Sequence, residues 1–115
     1  MTEFTDRFRE YFRNLEYYDR GTVLRQDIET VVEFVEEYFD VESFRQFPTR
    51  IFPNRVEIYG ECDDLVIHVA LTNGKVSCFV GKVLTDNVMM EIGHVYDIPT
   101  YSWMCWLVDL MEKVS

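Results

Sequence analysis

Apolar side chains recur at helical spacing in two stretches near the N-terminus. In residues 3–19 and 22–40 they are mostly three or four positions apart, which places them on one side of a helix. A short break at Arg20-Gly21 separates the stretches, so the two predicted helices form a helical hairpin. Between residues 41 and 54, two Phe-Pro pairs favour extended backbone, and we expect an ordered connection there.

The middle of the chain has the alternating pattern of β-strands. Three strands are predicted over residues 55–60, 65–72 and 75–84. Asn73-Gly74 is a strong hairpin signal, because both turn positions of the favoured two-residue turn need a positive φ. Such a turn pairs Thr72 with Lys75 and puts the apolar residues of both strands on one face, which makes the register self-consistent.

Two neighbouring hairpins are less strongly indicated. The one before Leu65 is expected to have a four-residue loop that sets Gly60 opposite Leu65. A fourth strand over residues 88–96 would pair Lys82 with Glu91, a favourable opposite-charge pair across strands.

A final helix is predicted over residues 101–113, with Thr100 as its cap. This helix is apolar on nearly all sides, so it is either enclosed within the fold or partly covered by a second chain. The elements predict one α+β domain spanning residues 1–115. One layer is the sheet, a three- or four-stranded antiparallel meander. The other layer contains the N-terminal helical hairpin and the C-terminal helix, which packs on the sheet.

Composition narrows the functional classes. The chain has 21 acidic and 11 basic residues, a formal net charge of -10, which argues against a basic nucleic-acid binder. We expect no direct contact with nucleic acid. No apolar run is long enough to cross a bilayer, and no basic segment followed by an apolar run suggests a signal peptide. Three widely spaced cysteines favour free thiols in a reducing, cytoplasmic setting.

The acidic residues are concentrated on the second predicted helix. No basic residue interrupts the chain from residue 27 to 42. The candidate partner-binding carboxylates are Glu29, Glu33, Glu36, Glu37 and Asp40, on the face opposite the apolar stripe. Two interpretations stay open: a solvated face that maintains solubility, or a docking surface for a basic protein partner, whose charge would relieve the repulsion. A variant of the second is mimicry of a nucleic-acid backbone by carboxylates.

Aromatic residues are the other unusual feature. They make up 16% of the chain, and most lie in its first half. The core explains many of them, but aromatic side chains are also enriched at interfaces. The candidate interface aromatics are Tyr17, Tyr18, Phe47 and Phe52.

Catalytic and metal-binding patterns are weak. No two cysteines have the spacing of a zinc or redox motif, and the glycines form no phosphate-binding loop. Cys62 and His68 could be imagined as a thiol–imidazole pair, but Asp63-Asp64 between them is typical of a turn. We therefore expect no enzyme activity, cofactor or metal.

The leading hypothesis is a small acidic protein-binding module that inhibits or neutralises a basic partner. In size and charge the chain resembles immunity proteins, virus-encoded inhibitors of host nucleases and secretion chaperones, although no motif carries that resemblance. One alternative is a structural or chaperone-like homo-oligomer, with residues 101–113 at a two-fold contact. Another is a small ligand-binding protein or enzyme that uses His68.

Overall fold

The computed structural model describes residues 25–47 and 55–114. Its elements are, in chain order, helix α1 (Arg25–Glu36), strands β1 (Asp40–Phe47), β2 (Arg55–Cys62), β3 (Leu65–Thr72), β4 (Lys75–Thr85) and β5 (Val88–Pro99), and helix α2 (Thr100–Val114). Each strand pairs antiparallel with the next, in the order β1-β2-β3-β4-β5. The α+β class and the meander are as predicted, but the sheet has five strands. The predicted helix over residues 3–19, and hence the helical hairpin, lies outside the described residues.

The additional strand is β1, in a segment that we expected to be an ordered connection rather than a strand of the sheet. It pairs with β2 along its length, but the register shifts between Val41 and Ser43. Glu42 is the extra residue of this β-bulge. The inward-facing Val41 and Phe44 are therefore three positions apart instead of two. The period-2 signal of a strand is therefore absent from the sequence.

Helix α1 also ends earlier than predicted, at Glu36 rather than at residue 40. The next residues form a turn in which the Tyr38 and Phe39 amides both donate to the Val35 carbonyl, at 3.0 and 2.9 Å. Phe39 nevertheless stays buried, at 3% exposure. Its burial explains the misprediction, because a buried turn residue prolonged the apolar pattern of the helix.

The hairpin of β3 and β4 matches its predicted register. Thr72 pairs with Lys75, and the turn residues Asn73 and Gly74 have φ values of 55° and 71°. The hairpin of β2 and β3 differs, because its loop has two residues instead of four. Asp63 closes it with a φ of 55°, a left-handed conformation that aspartate tolerates. The pairing moves by two positions, which leaves the same side chains facing the core.

The predicted pair of Lys82 and Glu91 is wrong by one position. Lys82 pairs with Met90, because a register shift between Val83 and Thr85 leaves Leu84 as an extra residue. The ammonium of Lys82 instead lies 3.5 Å from the Asp64 carboxylate in the neighbouring turn. Three register shifts occur along β4 and β5, and bulges of this kind bend and twist a hairpin.

Both helices pack on the same face of the sheet. The aromatic rings of Phe34 on α1 and Trp103 on α2 meet edge to face at 5.5 Å. The core between the helices and the sheet consists of buried apolar side chains: Ile28, Val31, Val32, Val35, Phe39, Val41, Val56, Ile58, Ile67, Val69, Leu71, Val76, Cys78, Val80, Trp103 and Leu107. The opposite face, which we call the outer face, carries neither of these two helices.

Helix α2 begins at Thr100, whose hydroxyl donates to the Gly74 carbonyl at 3.3 Å and ties the helix to the β3–β4 turn. Farther along, Gly93 on β5 lets the helix approach closely. A Cβ at Gly93 would lie 3.0 Å from Cζ2 of Trp106. The absence of a side chain at this position therefore sets the distance between α2 and β5.

This contact gives a first prediction. Gly93→Ala should lower the free energy of unfolding by about 1–3 kcal/mol, because the added methyl forces the indole to move. Urea denaturation of Gly93→Ala, Trp106→Leu and the double variant measures the coupling. The alanine should cost less when Trp106 is replaced by leucine. An equal cost in both backgrounds would show that the indole does not limit the space at Gly93.

Candidate functional site

The acidic face predicted for the second helix is only partly on α1: Glu29, Glu33 and Glu36 belong to the helix, whereas Asp40 begins β1 because the helix ends at Glu36. Glu29 and Glu33 are exposed, Glu37 is exposed in the turn that follows, and Glu36 is half-buried. No basic residue lies in the last turn of α1. The carbonyl end of a helix is its negative end, so acidic side chains there are disfavoured. Negative potential is therefore concentrated where α1 meets the sheet.

The strand pairing brings further carboxylates to the same place. Asp40, the first residue of β1, pairs with Glu61 near the end of β2. Glu42 forms the bulge beside them, and the β2–β3 turn follows directly. We call this group the acidic corner; its members are Glu37, Asp40, Glu42, Glu61, Asp63 and Asp64, all exposed. Strand β1 and the two-residue turn create it, and neither was predicted.

Carboxylates are crowded around Glu42. Partial loss of hydration, the charge of Glu61, a hydrogen bond shared with Glu61 and the charge of Asp40 together raise the pKa of the Glu42 carboxyl above its ordinary 4.5. The Glu42 side chain is exposed, so neighbouring negative charge is the physically telling cause. The Glu42 carboxyl therefore lies in the negative field of Glu61 and Asp40.

Charges are separated along the sheet. Arg45, Arg55 and Lys75 lie toward the opposite ends of their strands from the acidic corner. Arg55 pairs with Glu57 at 2.8 Å, and the guanidinium of Arg45 lies 5.8 Å from the ring centre of Phe47. These two arginines are thus placed on the outer face, away from the exposed carboxylates of α1. Among the described residues, Lys82 lies against the corner, with its ammonium 3.5 Å from the Asp64 carboxylate.

Of the predicted interface aromatics, the structure describes Phe47, which does not join this group. Phe47 is 36% exposed but ends β1, so it lies about 23 Å along the strand from Asp40. Tyr17, Tyr18 and Phe52 lie outside the described residues. Of the predicted partner-binding residues, Glu37 and Asp40 belong to the acidic corner, and Glu29, Glu33 and Glu36 extend it along α1.

A second surface feature was not foreseen: the β4–β5 hairpin extends beyond the rest of the sheet. The last pair of β3 with β4 joins Leu65 to Lys82, whereas β4 and β5 continue to pair up to Thr85 and Val88. We call residues 83–90 the hairpin arm. Its large apolar side chains are 40–52% exposed and comprise Val83, Leu84, Val88, Met89 and Met90. The alternation of apolar and polar residues along the strands does not predict this exposure, because the arm contains the same residue types as the core.

The outer face carries His68 in a polar and aromatic row. The His68 ring stacks on Tyr59 at 4.6 Å, and its Nε2 lies 3.4 Å from Oε1 of Glu57. Cys62 packs against the core on the helix-covered side. The two residues thus face opposite sides of the sheet, and no thiol–imidazole pair forms between them.

Other candidate sites are sparse in the part of the chain that the structure describes. There, no three histidine, cysteine, aspartate or glutamate side chains form a group that could hold a metal ion. None of the helices described has the length and apolar character needed to cross a membrane. A shallow groove of about 260 Å³ lies between the helices, lined by Phe34, Met104, Cys105, Val108 and Asp109.

The fold is thus an α+β domain in which a five-stranded antiparallel meander carries α1 and α2 on one face. Comparisons of the chain with protein-family models, with curated proteins and with solved structures find no match.

Proposed function

We propose that this chain is a small acidic protein-binding module that docks a basic partner through the acidic corner. The observation that carries the proposal is the convergence of carboxylates from the turn after α1, from β1 and β2 and from the β2–β3 turn at one end of the sheet. The pKa of Glu42 is raised by partial loss of hydration and by the charges of Glu61 and Asp40, so negative charge is crowded at this position. A cationic partner would replace the repulsion with attraction.

Physical considerations favour a protein partner over a catalytic role. The corner lies on β1, β2 and the turns at their ends, and both strands pack on the buried core, which holds its charges close together. Fixed charge of one sign steers an oppositely charged macromolecule and speeds its association. Nucleophilic catalysis by Cys62 would need a base within its reach, and His68 is on the opposite face of the sheet.

The finer assignment is an inhibitor or neutralising protein that acts in the cytoplasm. A net charge of -10 on 115 residues suits a protein that covers a basic surface. All three cysteines are free thiols, which agrees with a reducing compartment. If the partner is itself a nucleic-acid-binding protein, the carboxylates would take the place of backbone phosphates, which is the mimicry variant of this proposal.

Titration with an oligolysine peptide tests the proposal. Calorimetry should give a dissociation constant about five- to tenfold weaker for Glu42→Gln/Glu61→Gln than for wild type, because two attractive charges are lost. The control variant Asp27→Asn/Asp97→Asn removes the same charge at the first turn of α1 and beside Ser77 on β4, away from the corner, and should change binding by less than about twofold. Equal losses in both variants, or binding that added salt leaves unchanged, would contradict docking at the corner.

A homodimer through α2 is the second candidate. Tyr101 is 78% exposed, and the groove beside Phe34 leaves Met104 and Val108 only half-buried. Light scattering at high concentration should then give twice the monomer mass, and Val108→Glu should restore the monomer. A monomeric wild-type mass would reject this candidate.

A further inference from the structure

The hairpin arm lies at the same end of the sheet as the acidic corner. Asp40, Glu61, Val66 and Gly81 form one row across strands β1 to β4. The base of the arm follows immediately beyond this row, about three strand spacings or 14 Å from β1. One partner of ordinary size could therefore touch both features.

Direct contacts join the two features. The Val83 amide, at the base of the arm, donates to the Asp64 carbonyl at 2.7 Å. The Lys82 ammonium lies 3.5 Å from the carboxylate of the same residue. The β2–β3 turn thus connects the carboxylates with the arm, and the surface changes from acidic to apolar without an intervening element.

The arm has the character of a binding surface. It exposes five large apolar side chains within eight residues, whereas scattered single apolar residues are the usual pattern on a protein surface. Two of them are methionines, whose flexible side chains adapt to different partners. Met89 lies over Gly81, where a Cβ would come within 2.7 Å of its sulfur, and so extends the apolar surface toward the sheet.

We propose that the acidic corner and the hairpin arm together bind a basic amphipathic segment of a partner protein. Its cationic side chains meet the corner, and its apolar side chains cover the arm. The charge next to the arm selects this occupant, because a second copy brings a net charge of -10 toward carboxylates of the same sign. This inference rests on the proposed function and specifies the chemistry of the partner.

Three synthetic helical peptides of about 18 residues, or five turns, serve as probes. One contains lysine and leucine on opposite faces, one replaces the leucines with serine, and one replaces the lysines with glutamate. Calorimetry at concentrations where the peptides are monomeric gives the dissociation constants. The lysine–leucine peptide should bind at least about tenfold more tightly than the lysine–serine peptide. The glutamate–leucine peptide should bind least.

Variants locate the apolar contact. Leu84→Ser/Met89→Ser should remove the preference for leucine over serine and leave binding of the lysine–serine peptide unchanged. The control Tyr96→Ser/Tyr101→Ser alters two side chains that are 73% and 78% exposed and lie outside the arm, and it should keep the preference. Because all four side chains are exposed, circular dichroism should show that both variants remain folded.

The outcomes separate the two proposals. If both basic peptides bind equally, or the preference survives in the arm variant, the apolar part is wrong while docking at the corner stands. If neither basic peptide binds, both proposals fail. Equal binding of the glutamate–leucine peptide would reject a basic occupant. A wild-type dimer that Leu84→Ser/Met89→Ser dissociates in sedimentation would show that a second copy covers the arm, and would overturn the inference.

Discussion

Trp103→Ala is expected to lower the free energy of unfolding by about 3–5 kcal/mol, the usual cost of deleting a large aromatic side chain from a core. Trp103 is 0% exposed and contacts Phe34, so it joins α2 to both α1 and the sheet. Its loss leaves a cavity where all three meet. A domain of this size is stabilised by about 5–15 kcal/mol, so the substitution removes a large fraction of the free energy of unfolding.

Urea denaturation followed by circular dichroism measures this effect. Tyr101→Ala is the matched control, because Tyr101 lies on the same helix but is 78% exposed, and it should cost at most about 0.5 kcal/mol. Trp103→Phe should fall between the two, since it keeps an aromatic ring in the core and leaves a smaller cavity than alanine. Similar costs for Trp103→Ala and Tyr101→Ala would contradict a core that is centred on Trp103.

Alkaline pH should destabilise the fold through Cys78. Burial raises the pKa of the Cys78 thiol from 9.0 to about 12, and the neighbouring Trp103 indole offsets this only in part. Below pH 9 the thiol is neutral in both states and its contribution is fully present. Between pH 9 and 12 the unfolded chain loses this proton more readily than the folded chain, so stability falls. At 1.36 kcal/mol per pKa unit, the loss approaches about 4 kcal/mol.

Comparison of variants isolates this contribution from other groups that titrate in the same range. Cys78→Ala should be less stable at pH 7, because it leaves a small cavity, but should lose less stability between pH 9 and 11 than wild type. Cys105→Ala is the control, since Cys105 is exposed and should leave the pH dependence unchanged. Identical slopes for wild type and Cys78→Ala would show that the thiol ionises without opening the core.

Local signals explain which parts of the fold were predictable. The β3–β4 hairpin depends on a two-residue turn and on neighbouring residues, and its register followed from Asn73-Gly74. Helix α2 has an uninterrupted apolar pattern and was predicted to within one residue at each end. Ile58 was also predicted on the correct face of the sheet. The predicted register of β2 with β3 was wrong by two positions, and a shift of two positions keeps each side chain on the same face.

Nonlocal features account for what was missed. The bulge at Glu42 hides β1 from any period-2 pattern, and the bulge at Leu84 moves Lys82 away from Glu91. The acidic corner depends on the local run of acidic residues and on the nonlocal pairing of strands. Asp40 and Glu61 are twenty-one positions apart in the sequence and meet only through the pairing of β1 with β2.

The strand pairing changes how the acidic run between residues 27 and 42 is interpreted. In the sequence it resembles the solvated face of one helix. In the fold its second half leaves the helix, enters an edge strand and meets carboxylates of the next hairpin. The resulting surface is compact, and it lies next to the exposed apolar arm. A role in solubility alone would not require that arrangement.

Backbone amide chemical shifts during titration with oligolysine test the docking surface most directly. The account predicts that the perturbed amides belong to residues 37–42 and 61–64, and that amides near the Asn73-Gly74 turn at the other end of the sheet stay unchanged. Perturbations centred on that turn, or spread evenly over the surface, would contradict docking at the acidic corner.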